Sequence, residues 1–245
     1  MIRVLHEGRI WRARLEAPAD GRPARKVVTG RRRRDTGMVS TRKAVRGGLV
    51  TWESTLESDL VVVEDLEPRT TTISHQPHTL HVWNEALEFR HTPDFLLGRR
   101  AGTGEPEVVE VKTPRHSEQP DMAERLAISE ACHRAMGFEF SVRGPANIRI
   151  EPRLSNCHLL RRYRMVAVRP GVGHAVATLL GQAGAALSVE ACVRAIDGDP
   201  RTRFELYALV CAGVLHLDLA TPLSPMTVVT GCDLNALTSG NGQGR

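Results

Sequence analysis

Pro93-Asp94 and the tripeptide Glu110-Val111-Lys112 are the residues of this chain best suited to chemistry. They lie in one stretch, His91 to Lys112 (HTPDFLLGRRAGTGEPEVVEVK), in which two strand-like runs, FLL and EVVEVK, flank a turn rich in Gly, Pro and Arg. Such a pattern predicts a β-hairpin. Asp94 opens its first strand. Glu110 and Lys112 stand two apart on the second, so the period of a strand puts both on one face and turns Val111 to the other as a core anchor. Two carboxylates and an ammonium brought together in this way suit a hard divalent cation, Mg²⁺ with Mn²⁺ as its substitute, beside a phosphate. The chemistry expected is phosphodiester hydrolysis. Alternating Glu, Val and Lys is also what a solvent-facing edge strand shows, so the hairpin alone leaves that plainer reading open.

The neighbouring segments must position these groups. After Thr51 and Ser54, the run LESDLVVVEDL repeats Leu56, Leu60, Val63 and Leu66 at helical spacing and stops at Pro68, which predicts an amphipathic helix. Glu57 lies in its first turns, where a carboxylate reaches toward the hairpin or complements the helix dipole; Glu53, one turn earlier, is the competitor. Residues 70–83 (TTTISHQPHTLHVW) alternate as a strand broken at Pro77. His75, His78 and His81 recur every three residues there, an offset that alternates faces on a strand, so they do not converge on a metal. A helix is expected over DMAERLAISEACHRAM with Met122, Leu126, Ser129, Cys132 and Met136 on one face and Gly137 at its C-terminal end. FEFSVR follows as a strand, and RLSNCHLLRRYR at 153–164 as a short basic helix.

Pro93-Asp94 with Glu110-Val111-Lys112, its middle position apolar, resembles the PD-(D/E)xK nuclease signature. With TWESTLESDLVVVEDLEP, HQPHTLHVW and TPDF upstream, the chain from Arg31 to Arg164 resembles the TnsA-type endonuclease subunit of heteromeric, Tn-seven-like transposases. The resemblance implies an α/β, restriction-endonuclease-like core. It also implies Glu57, Asp94, Glu110 and Lys112 as catalytic residues, with Glu57, Asp94, Glu110 and the Val111 carbonyl as ligands of Mg²⁺. Double-stranded DNA at transposon ends, a DDE transposase (TnsB type) and an AAA+ regulator (TnsC type) are the implied partners. Several transposase subunits carry Gln where this chain has Glu110. A stand-alone restriction or repair endonuclease shares the same residues, and a non-catalytic DNA-binding scaffold is the third alternative.

Charge is unevenly distributed. Residues 1–48 hold 14 Arg and Lys against 4 Asp and Glu, a local balance of +10 in a chain whose total is +5. Arg31, Arg32, Arg33, Arg34, Arg42, Lys43 and Arg46 are expected to contact DNA phosphates from a basic N-terminal arm over residues 1–48. Residues 2–15 give no firm pattern. The nuclease domain is expected over 49–164. From Met165, a strand (MVAVRP), three helix-like segments and a terminal β-pair (VLHLDL, MTVV) resemble a winged helix over 165–235, with Ser188 capping the middle helix and a disordered tail at 236–245. Residues 165–245 carry 5 Arg and no Lys against 6 acids, a balance suited to docking a protein rather than DNA. Five scattered cysteines without a CxxC pair read as reduced thiols. The absence of long apolar windows or a signal-like N-terminus points to a cytoplasmic setting without membrane contact, and the transposase resemblance implies a bacterial one.

Overall fold

The computed structural model describes residues 1–25, 35–46, 48–183 and 186–236, which form two compact units, Met1–Ile148 and Arg149–Arg245. Among these residues no helix is long and apolar enough to cross a membrane. No disulfide joins the cysteines among the described residues, and Cys132, Cys157 and Cys192 are buried.

The first unit opens with β1 (Ile2–His6) and β2 (Arg9–Glu16), an antiparallel pair turned by Glu7 and Gly8, both at positive φ. Such a two-residue turn matches the twist of the strands it joins. Trp11 and Ala13 alternate inward. β3 (Gly37–Ser40) and β4 (Leu49–Trp52) form a second hairpin, and α1 (Thr55–Leu66) follows. Glu67 is the C-cap of α1, immediately before Pro68.

The segment expected to be one interrupted strand is two strands in two sheets. β5 (Thr70–His75) lies at the edge of one sheet, and β6 (Thr79–Trp83) inside the other, beside β2. Gln76, at φ +46°, and Pro77 make the corner between them. β7 (Glu88–His91) pairs with β6; β8 (Phe95–Arg99) and β9 (Glu107–Val111) form the expected hairpin, Phe95 opposite Val109. A short helix α2 (Pro114–Ser117) and α3 (Pro120–Ala135) then carry the chain to β10 (Glu139–Arg143), which runs parallel to β9, and α4 (Pro145–Ile148) ends the unit.

α3 is the central spacer. Its Ile128 and Cys132 pack with Trp11, Leu80, Val82 and Phe89 of one sheet, while Leu126 packs with Val108 and Phe140 of the other. It ends as expected at Gly137, φ +85°, where Gly137 N–H donates to the Arg134 carbonyl and Phe138 N–H to the His133 carbonyl. That crossed pair is the Schellman closure, which favours glycine.

Two expectations for the first 48 residues change. β1, β2 and β3 belong to sheets, so the described residues of this segment are not a separate arm. Residues 43–45 run along β5, with Ile73 N–H donating to the Lys43 carbonyl (2.7 Å) and Val45 N–H to the Ile73 carbonyl (3.3 Å), so backbone pairing extends the site's own sheet.

In the second unit α5 (Arg153–Leu160) continues into a 3₁₀ turn at Arg161–Tyr163. Leu154, Cys157 and Leu160 bury there, and Cys211 Sγ donates to the Leu160 carbonyl, which is why the helix expected to close the nuclease domain falls in this unit. MVAVRP forms no strand: Met165 is exposed, and Val166 N–H turns back to the Tyr163 carbonyl. Then come α6 (Val172–Gln182), β11 (Leu187–Ser188), α7 (Val189–Ile196), α8 (Thr202–Cys211), β12 (Leu215–Leu217) and β13 (Val228–Cys232), the strands ordered β11-β13-β12. Ser188 caps α7 as expected, its Oγ accepting from Ala191 N–H at 3.1 Å.

Candidate active site

Asp94 sits one residue before β8, where backbone pairing with β9 brings it to Val111, whose N–H donates to Asp94 Oδ2 at 2.8 Å. Glu110 and Lys112 flank Val111. Lys112 Nζ lies 2.5 Å from Glu110 Oε1 and 3.6 Å from Asp94 Oδ2. The two carboxylates and the ammonium of the motif therefore meet at one point, and Val111 is buried as their anchor.

The electrostatics follow from burial. Desolvation, then the neighbouring Glu110 charge, push Asp94 up to about 7, against the pull of Lys112. Burial pushes Glu110 up too, but His91 and Lys112 together outweigh it and hold this carboxyl below its usual range. Burial lowers Lys112; Glu110 and Asp94 outweigh it and keep the ammonium protonated beyond its ordinary range.

His91 was not singled out from the sequence, although it opens the hairpin stretch. Its Nε2 is 3.0 Å from Glu110 Oε2, so it occupies one carboxylate oxygen while Lys112 occupies the other. Behind it, His133 stands edge-on to His91 at 6.1 Å, and its Nε2 is 2.8 Å from His78 Nε2. Burial drives His78 to about 4 and His133 to about 3, so both are neutral near pH 7. The three histidines of residues 75–81 diverge as expected: His75 meets Thr51 Oγ1 (2.8 Å), His78 meets His133, and His81 meets Glu16 (3.0 Å).

Glu57 behaves differently from the other two acids. Ser54 is the N-cap of α1 and accepts from Glu57 N–H at 3.2 Å, while the Glu57 carboxylate accepts from Glu53 N–H (2.8 Å) and Ser54 Oγ–H (2.9 Å). This is a variant of the capping box, which the S-x-x-E spacing of Ser54 and Glu57 announces, with the carboxylate taking the N–H of the residue before the N-cap rather than that of Ser54. Burial raises Glu57, but His75 at 3.7 Å and those two donors outweigh it and hold the carboxyl below its usual range. Glu57 still faces the motif closely enough to contribute to the upward push on Asp94. Its competitor Glu53 points to Arg25 instead.

Hard carboxylate oxygens crowded until one resists ionisation are the donor chemistry a divalent ion satisfies, so the set fits Mg²⁺ in kind. As folded, no three His, Cys, Asp or Glu among the described residues are gathered into a metal-holding group. Two reasons are visible: Lys112 fills the space between Asp94 and Glu110, and the oxygens of Glu57 turn to its own helix start.

Of the seven expected DNA-contacting residues, Arg31, Arg32, Arg33 and Arg34 lie outside the described residues. Lys43 points inward: its Nζ donates to the carbonyls of Glu64 (2.9 Å) and Glu67 (2.7 Å) at the end of α1, and burial lowers it to about 8. It is a helix-terminal cap rather than a phosphate contact. Arg46 leans on Asp20, donating to its carbonyl at 2.8 Å, and Arg42 is exposed.

A mixed α/β unit that brings Asp94, Glu110 and Lys112 together beside the N-terminus of a helix has the make-up of a nuclease domain. The family model for the TnsA-like endonuclease N-terminal domain matches residues 67–144, so this segment is similar to that domain. The match spans β5 to β10 and takes in Gln76, His91, Asp94, Glu110 and Lys112, while α1 with Glu57 precedes it. No curated protein matches the chain.

Proposed function

We propose that this chain is the DNA endonuclease subunit of a heteromeric transposase, nicking the 5′ ends of the element beside a DDE transposase of the TnsB type. The observation that carries the reading is the meeting of Asp94, Lys112 and Glu110 inside the TnsA-like segment. Glu57, Asp94, Glu110 and the Val111 carbonyl are the oxygens that would hold Mg²⁺, or Mn²⁺ in its stead. Such an ion supplies Lewis acidity toward the phosphate and a water of lowered pKa. Val111 N–H fixes Asp94, and His91 fixes Glu110. Lys112, protonated across the working pH range, orients the attacking water and offers a point charge to the phosphate.

The second unit reads best as a winged helix that docks an AAA+ regulator of the TnsC type. Its order α6-β11-α7-α8-β12-β13 and its sheet order β11-β13-β12 support the first half. The second half rests on charge: Arg169, Arg194 and Arg203 are ion-paired with Asp197, Glu205 and Glu190 of the same unit. The whole is placed in the bacterial cytoplasm.

The test is strand cleavage with Mg²⁺, the purified chain acting with its transposase partner on duplex transposon ends. Asp94→Ala and Lys112→Ala are each expected to lower 5′-strand nicking by about 10²–10⁴-fold, the range a positioned proton-handling group supplies. Cleavage by both variants at the parent rate removes the site assignment.

A further inference from the structure

Asp94 is tied by its main chain to a residue that the proposed chemistry leaves unused. Gln76 N–H donates to the Asp94 carbonyl at 2.8 Å, and the Gln76 carbonyl accepts from Ala24 N–H at 2.8 Å. Gln76 is 1% exposed and sits at φ +46°, a left-handed backbone that a residue with a Cβ adopts only when its surroundings hold it there. With its amide oriented to satisfy both atoms, Nε2 donates to the Arg25 carbonyl at 2.9 Å and Oε1 accepts from Arg25 Nη2 at 2.9 Å. All the polar groups of Gln76 thus serve two neighbours, Asp94 and residues 24–25. Glycine would take the same φ without strain but would release Arg25.

Arg25 is held from a second side. Its Nη2 lies 2.6 Å from Glu53 Oε2, and Glu53 N–H donates to Glu57 Oε2 at 2.8 Å. A continuous line of contacts therefore runs from Asp94 through Gln76, Arg25 and Glu53 to Glu57, with one guanidinium between the two acids. The Arg25 side chain nevertheless remains 59% exposed, oriented at one nitrogen and open to solvent elsewhere. The nearby acids repel a DNA strand, and the Lys112 charge is already engaged by Glu110 and Asp94. A cation at the rim is what a phosphate approaching these acids requires, and a planar guanidinium with an anchored edge suits it.

We propose that Arg25 is a phosphate-binding residue of the cleavage site, and that Gln76 is the positioning residue that keeps it in register with Asp94. The proposal rests on the nuclease reading above. It is tested on the full chain with a duplex oligonucleotide of the transposon end. Binding is measured in Ca²⁺ across a salt series, and nicking in Mg²⁺ with the transposase partner present. Arg25→Ala should weaken binding several-fold and lower the slope of log affinity against log salt by about 0.9, the share of one phosphate. Arg25→Lys should restore the slope without restoring the nicking rate, because an ammonium does not reproduce the fork that Gln76 orients. Gln76→Ala should keep the slope and slow nicking; Gln76→Gly, which accepts the φ, replaces it if the alanine variant melts early. An unchanged slope in Arg25→Ala overturns the phosphate contact, and parent-rate nicking by a folded Gln76 variant overturns the positioning role. Asp94→Ala separates the two readings. If it nicks like the parent the site itself is wrong, whereas an inactive Asp94→Ala beside a parent-like Arg25→Ala removes only this inference.

Discussion

Asp94 is the residue at which folding and chemistry pull hardest against each other. Its ordinary value of 3.8 rises to about 7 through burial and the Glu110 charge. Between those values the folded, metal-free chain keeps a proton that the unfolded chain has released, so stability falls as pH rises across that window and is not recovered above it. Asp94→Asn removes the buried charge and is expected to raise the metal-free Tm at pH 8 by roughly 2–4 °C for each kcal/mol relieved, with no gain near pH 4 and with nicking lost. A Tm at pH 8 equal to or below the parent's counts against the crowded-carboxylate picture. His91 is tested through Glu110: His91→Phe frees one oxygen of that carboxylate and should cost about 10–100-fold in Mg²⁺ affinity, as loss of a ligand-orienting neighbour does. His91→Gln, which can still donate, should recover part of it, read as the Mg²⁺ concentration for half-maximal nicking. The motif residues were legible because their chemistry demands fixed types at fixed spacing. His91 was not, since its role arises only where β7 of one sheet passes the hairpin of the other. The same limit applies to Lys43: as a charge in a basic run it pointed outward, whereas the end of α1 drew it in.

α1 was legible as an element from its apolar spacing and its stop at Pro68, and the hairpin from its turn. The strand over 70–83 was legible only as extended chain, because alternation does not reveal that the corner at Gln76-Pro77 sends its halves to different sheets. The hairpin of β1 and β2 carries the signals in small, Ile2 and Val4 alternating against Trp11 and Ala13 around Glu7-Gly8, but two strands this polar need their partners to be recognised. Nothing in the pattern disclosed what joins α1 to the site's sheet. Glu64 of α1 lies between Arg99 of β8 (3.1 Å) and Arg143 of β10 (2.7 Å), and both guanidiniums also meet Glu107 of β9. Thr70 adds its hydroxyl to Glu64, and Ser141 adds one to Glu107. Because Glu64 is 3% exposed, Glu64→Ala leaves two guanidiniums short of a partner in a dry interface. A loss of about 3–5 kcal/mol is expected, measured by urea unfolding. A loss near the fraction of a kcal/mol typical of exposed pairs would show that the ring is solvated.

At the scale of the whole molecule, the acids of the site lie in the first unit, while in the second the basic residues Arg149, Arg153, Arg161, Arg162 and Arg164 precede a stretch, 165–245, that is close to neutral. The order of three helices and a β-pair after residue 170 was legible from turn residues. The boundary was not, because α5 looks like a basic surface helix until Leu154, Cys157 and Leu160 are seen buried in the second unit. The arginines after residue 165 decide what that stretch can bind. Arg169 reaches Asp197 (2.8 Å) and Glu205 (2.7 Å), while Arg194 and Arg203 share Glu190. Phe204, at the start of α8, stacks on Tyr163 with ring centroids 5.4 Å apart, so an aromatic contact occupies that face where a duplex reader would present a cation. With 5 Arg against 6 acids over residues 165–245, a phosphate approaching these guanidiniums meets no net attraction, unlike one approaching the basic residues 1–48. Replacing Arg169, Arg194 and Arg203 together by Ala in the full chain is therefore expected to leave the salt dependence of duplex binding unchanged. Arg42→Ala, at an exposed position in the first unit, should lower the slope by about 0.9, the share of one phosphate. Filter binding of a transposon-end duplex across a salt series measures both. A slope that drops by two or more in the triple variant would make the second unit a DNA reader and remove the argument for a protein partner there.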